Sequence, residues 1–121
     1  MMKKAGVLLL TVFLLFAATA CAKDVYKGVR KAEESRFYLN YSMFTGTDSH
    51  TLELKQGDVL KADLVAADGT LKVVVQKEGS APVFEQEEVS TGYEEITIPE
   101  DGAYQITVTG KRAMGSVSFT K

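Results

Sequence analysis

From Arg36 onward the apolar residues recur at every second position, in short runs separated by clusters rich in Gly and Asp. A period of two places alternate side chains on opposite faces, which is the pattern of a half-buried β-strand and not of a helix. Phe37, Leu39, Tyr41 and Met43 share one face of the first run, and Tyr38, Asn40, Ser42 and Phe44 share the other. Leu52 and Leu54 begin a second run, closed by Gln56-Gly57-Asp58. Leu60, Ala62, Leu64 and Ala66 form a third. Leu71, Val73 and Val75 form a fourth, in which Val74 suggests cover on both faces. Val83 to Val89 is acid-rich, as suits an exposed edge where charge discourages further pairing. Ile96 and Ile98, then Tyr104, Ile106 and Val108, then Val117 and Phe119 complete the set.

The intervening clusters read as turns: Thr45 to Ser49, the hairpin signal Asp68-Gly69, the loop Glu78 to Pro82, Pro99 to Gly102, and Gly110 to Gly115. No window after residue 36 has helical periodicity. About eight short strands with turns between them predict an all-β fold, a small antiparallel β-sandwich of jelly-roll or Ig-like type. With 121 residues in all, there is room for one such domain.

The first twenty residues follow different rules. Lys3 and Lys4 precede an uncharged stretch from Ala5 to Ala20. As a helix that stretch would rise about 24 Å, short of the ~30 Å hydrocarbon core of a bilayer. A short apolar run behind two lysines, ending in small residues, is the pattern of an export signal. Ala18-Thr19-Ala20-Cys21 then resembles the lipobox of bacterial lipoproteins, and the chain as a whole resembles small lipoproteins of Gram-positive bacteria. That resemblance implies a diacylglyceryl group on Cys21, cleavage before it, and anchoring to the outer face of the cell membrane. Ordinary cleavage at an A-x-A site, after Ala20 or after Ala22, is the alternative. Cys21 is the only cysteine of the chain, so no internal disulfide is possible. The expected organisation is a signal peptide helix over 1–20, a lipid-anchored tether over 21–35 and a β-sandwich over 36–121.

Without residues 1–20 the chain carries twelve Lys and Arg against sixteen Asp and Glu, a net charge of −4. Residues 23–36 are basic, +2, and residues 111–121 add +3, whereas 37–110 carry −9. An acidic body lacks the basic footprint that nucleic acid requires. The basic segment next to Cys21 would lie near lipid headgroups, or serve simply as a solvated linker.

Catalytic equipment is sparse. The single His50 sits beside Asp48 and Ser49 in what reads as a loop, and a nucleophilic triad needs its members converging from rigid elements. Glu85, Glu87, Glu88, Glu94 and Glu95 would gather if their two strands paired, yet glycosidase chemistry needs a walled cleft around two carboxylates. Turn carboxylates such as Asp58, Asp68 and Asp101 are the only suggestion of calcium, without an EF-type loop. Neither phosphate-cradling glycine pattern occurs. No catalytic residue, metal site or cofactor beyond the expected lipid is predicted.

Binding is the better expectation. Tyr38 and Phe44 lie on the strand face opposite Phe37, and Tyr93 sits beside a glycine. Exposed aromatic rings can stack on sugars or anchor a protein interface. These three are the candidate ligand-binding residues. The stretch Gly102-Ala103-Tyr104-Gln105-Ile106-Thr107-Val108-Thr109-Gly110, with the corner Leu52-x-Leu54-x-x-Gly57-Asp58, is similar to bacterial pre-peptidase C-terminal-like sandwiches. That resemblance implies an exported accessory module without catalysis. The expected function is a non-catalytic binding or scaffolding module of the cell envelope, partnered by protein or glycan. The alternatives are a small carbohydrate-binding module and, at the margin, a hydrolase with a carboxylate pair.

Overall fold

The computed structural model describes residues 24–121; the expected signal helix and Cys21 lie outside them. Six strands follow one another: β1 (Val25–Ala32), β2 (Arg36–Leu54), β3 (Val59–Lys77), β4 (Phe84–Gln86), β5 (Gly92–Thr97) and β6 (Gly102–Thr120). Every pairing is antiparallel, in the order β1-β2-β6-β3-β4, with β5 also on β3.

Three of these strands, β2, β3 and β6, are nineteen residues long. Straight, each would extend about 60 Å at ~3.3 Å per residue, far more than a domain of this size can cover. They bend instead. The β2–β6 register slips on either side of Phe44, and the β3–β6 register slips on either side of Asp68. The first half of one strand therefore pairs in one layer and its second half in the other. One layer holds five segments: β1, the first half of β2, the second half of β6, the first half of β3, and β5. The second layer holds the remaining halves of β2, β6 and β3, with β4.

The inward residues of both layers merge into one core. Phe37, Leu39, Leu60, Val117 and Phe119 come from the first layer, and Leu52, Val73, Val75, Tyr104, Ile106 and Val108 from the second. Among the described residues no polar or charged side chain is buried with them. The all-β antiparallel sandwich expected from the alternation is the fold observed.

The connections differ from expectation. The eight expected strand segments are present, but Thr45 to Ser49, Asp68-Gly69 and Gly110 to Gly115 are bends or continuations within strands, not turns between them. Gly69 has φ +72°, and a Cβ there would meet the Arg112 carbonyl oxygen at 2.1 Å. Glycine is needed where two bends press backbone against backbone. That requirement looks the same in sequence as a hairpin turn.

Three further differences have local causes. Val25–Ala32, expected within the tether, pairs with Phe37–Thr45 as an edge strand, with one register shift between Lys27 and Gly28, so the sandwich begins at Val25. The bulge after Tyr41 reverses the facing of the residues that follow: Met43 is exposed and Phe44 is buried. Only Phe84–Gln86 of the acid-rich run is a strand; Val89 nonetheless enters the core as its N–H donates to the Leu71 carbonyl at 2.8 Å.

Strand β1 also closes the open side of the sandwich. Tyr26 meets Phe44 edge-on, at 5.4 Å between centroids. Arg30 crosses to the other layer and donates from Nε and Nη2 to the two carboxylate oxygens of Asp48, at 2.7 and 3.1 Å.

Candidate binding face

The outer surface of the five-segment layer carries the side chains that alternate out of phase with the core. Register fixes which of them stand side by side. Tyr38 on β2 faces Ser118 on β6, Ser118 faces Asp63 on β3, and Asp63 faces Tyr93 on β5. Two of the three aromatics singled out in the sequence thus stand in one transverse row, Tyr93 at its β5 end and Tyr38 next to Lys31 on the opposite edge strand β1. Three strand spacings separate them, about 14 Å. The neighbouring rows are Arg36, Thr120, Lys61 and Glu95 on one side, and Val29, Asn40, Ser116 and Val65 on the other. The centre of the face, along β6, is therefore low and hydroxylated: Ser116, Ser118, Thr120.

The two tyrosines are held differently. Tyr38 is half-buried, with the Arg36 guanidinium carbon 5.6 Å from its ring centroid. Its hydroxyl accepts from Asn40 Nδ2 at 3.0 Å, and Arg36 in turn donates to Glu33 at 3.0 Å. Tyr93 is 51% exposed, and its hydroxyl donates to Glu95 Oε2 at 3.0 Å. Partial burial, then the hydrogen bond and charge of Glu95 and the charge of Asp63, hold Tyr93 above the ordinary tyrosine range. Toward the bends the face sinks into a shallow depression of about 440 Å³, lined by Asn40, Ser42, Val65, Ala67, Met114 and Ser116, among others.

Phe44, the third candidate, is 3% exposed and packs in the core against Tyr26 and Tyr41. It offers no surface to a ligand. Asp63 and Ser118 were not singled out in the sequence, because their neighbours on the face are distant in the chain. Their out-of-phase position was the only available signal.

The other candidate groups do not converge. β4 and β5 both pair with β3, at Val73–Val75 and Val59–Leu64, so their glutamates are in different layers. Glu87 pairs with Lys72 at 3.3 Å. Asp58 and Asp101 accept backbone N–H groups of Lys55 and Gln56, at 2.9 and 2.7 Å, and Asp68 accepts that of Gly69 at 2.9 Å. Among the described residues no group of three or more potential metal ligands occurs. His50 lies on β2, not in a loop, with Nε2 2.7 Å from the Glu33 carbonyl oxygen; Ser49 Oγ accepts from Gln105 at 3.4 Å.

No protein-family model and no curated protein matches this chain. Solved structures do. The pre-peptidase C-terminal domain of a collagenase from Bacillus anthracis is 10% identical over 81% of this chain and 97% of its own, with a TM-score of 0.53. The fold is similar to that of a pre-peptidase C-terminal domain. A periplasmic inhibitor of g-type lysozyme from Aeromonas hydrophila is 20% identical over 76% of this chain and 91% of its own, with a TM-score of 0.46. A xylan-binding module from Roseburia intestinalis is 13% identical over 79% and 81%, with a TM-score of 0.44.

Proposed function

We propose that this chain is an exported, lipid-anchored and non-catalytic binding module that takes an extended glycan across the outer face of its five-segment layer. The row Tyr38–Ser118–Asp63–Tyr93 carries the reading. A sugar chain presents apolar C–H faces and hydroxyls in alternation. The aromatic rings of Tyr93 on the β5 edge and of Tyr38 on β2 suit the first, and the Asp63 carboxylate and Ser118 hydroxyl suit the second. Separation of the two rings favours an oligosaccharide over a single sugar. A protein partner wants a contiguous apolar centre, and here the centre is a line of hydroxyls.

The test is retention of the purified chain on a panel of immobilised polysaccharides and peptidoglycan. Tyr93→Ala and Tyr38→Ala should each weaken binding about tenfold, equivalent to about 1.4 kcal/mol. No retention of the unaltered chain on any glycan overturns the ligand class, and in-cell crosslinking then becomes the search for a protein partner. Anchoring rests on the lipobox at Cys21 and has its own check: Cys21→Ala should leave the detergent phase on partition, and an unchanged partition refutes it.

A further inference from the structure

We infer that the bent end of the sandwich is a membrane-docking surface for anionic lipid headgroups; the inference rests on the anchoring at Cys21 proposed above. Connectivity supplies the first reason. β1 enters the fold at the bends: Val25 pairs with Thr45, and Asp24 lies against Gly46. Three residue steps join Cys21 to Asp24, and they span at most about 11 Å. A lipid on Cys21 therefore brings this end, and not the opposite one, to the bilayer. The turns at Glu33–Ser35 and Lys55–Asp58, with the C-terminal Lys121, lie at the other end.

Side-chain chemistry at the bends supplies the second reason. Within the β2–β6 bulge Met43 and Met114 are exposed, at 39% and 44%, although both are large and apolar. Lys27 pairs with Met43, and the exposed Lys111 and Arg112 lie on the same β6 bend as Met114. Arg112 adopts φ 51°, and its N–H donates to Thr45 Oγ1 at 3.0 Å, fixing the β6 bend to the β2 bend. The acids of this end are Asp24, Asp68, Glu87 and Glu88, the last two in the crossing from β4 to β5; Asp68 is engaged by the Gly69 N–H and Glu87 by Lys72. Exposed methionines with Lys27, Lys111 and Arg112 on the same bends fit a headgroup layer, in which cations meet lipid phosphates and apolar side chains reach the acyl boundary. The far end carries Glu33, Glu34, Asp58, Glu78, Glu100 and Asp101 against Arg36, Lys55, Lys77 and Lys121, so acids outnumber bases there and an anionic surface disfavours it.

The chain contains no Trp, so one introduced indole reports its own surroundings. The intact lipoprotein with Met114→Trp, and a control with Gln56→Trp at the far turn, would be reconstituted in phosphatidylglycerol–phosphatidylcholine vesicles containing brominated lipid. Flotation reads anchoring, and bromine quenching reads docking. Protein that floats with several-fold stronger quenching of M114W than of Q56W, reduced by Lys27→Glu with Lys111→Glu and in phosphatidylcholine alone, is the expected result. Protein that floats with both indoles equally unquenched overturns docking while anchoring stands. Protein that does not float removes both. A blue-shifted M114W without bromine quenching puts a second copy on this surface in place of lipid, and also overturns the inference.

Discussion

Replacing Gly69 by Ala tests whether the bends of β3 and β6 are held together by direct backbone contact. Gly69 has φ +72°, and an added Cβ would sit 2.1 Å from the Arg112 carbonyl oxygen and 2.6 Å from that of Lys111. Both are main-chain atoms of a neighbouring strand, so no side-chain rotation relieves the overlap. The left-handed backbone alone costs a residue with a Cβ about 1–2 kcal/mol. Displacing packed backbone adds about 1–3 kcal/mol. Alanine also narrows the unfolded ensemble, which offsets about 0.4–1 kcal/mol. The net loss is about 3 kcal/mol, or about 12–24 °C in Tm for a domain of this size. Gly79 provides the internal control, because its φ is +78° and nothing lies within 4 Å of its Cβ position. Gly79→Ala carries the backbone cost without the overlap and should lose about 1 kcal/mol. Thermal unfolding of both variants by circular dichroism, at one pH and salt concentration, separates the two contributions. If Gly69→Ala loses no more than Gly79→Ala, the close approach of the bends is not what positions the two layers.

Other consequences are accessible to the same assay. Phe44→Ala should cost about 3–5 kcal/mol as a core truncation, while glycan retention by the protein that remains folded is unchanged. Burial first, and Tyr26 second, push Tyr41 up to about 12 from its ordinary 10.0. The folded state therefore favours the neutral phenol; this stabilisation is complete below pH 10 and is lost as pH rises through 12, a change of roughly 3 kcal/mol. Tyr41→Phe should flatten the Tm profile across that window, and an unaltered alkaline slope would assign the loss to other groups. Asp48→Asn weakens the two-point contact with Arg30, whose side chain is 44% exposed against 22% for Asp48. The cost should be at most about 1 kcal/mol and should shrink with added salt.

The proposed binding face was half visible in the sequence. Tyr93 stands out as an aromatic beside a glycine and Tyr38 as one out of phase with the core, and the structure leaves both on the surface. Phe44 stood out for the same reason as Tyr38, and there the parity failed. One bulge after Tyr41 inserts an extra residue, and every position beyond it changes face. That Tyr38 and Tyr93 belong to a single row is a fact of register across four strands. Asp63 and Ser118 join them only through pairings between residues thirty or more positions apart.

Alternation of apolar residues was enough to determine an all-β chain with two-faced strands, because burying one face per strand leaves few alternatives to a sandwich. The isolated Cys21 behind a short apolar run likewise determined the expectation of an anchored, exported protein, which rests on covalent chemistry and needs no fold. Tertiary structure alone decided that Asp68-Gly69 and Gly110 to Gly115 bend continuing strands instead of ending them. Glycine serves a tight turn and a close backbone approach equally well, and only the partner strand distinguishes the two. It also decided that Val25–Ala32 joins the sheet. The backbone hydrogen bonds of this segment, with its charged and outward side chains, are satisfied by β2, and no local pattern announces a partner strand.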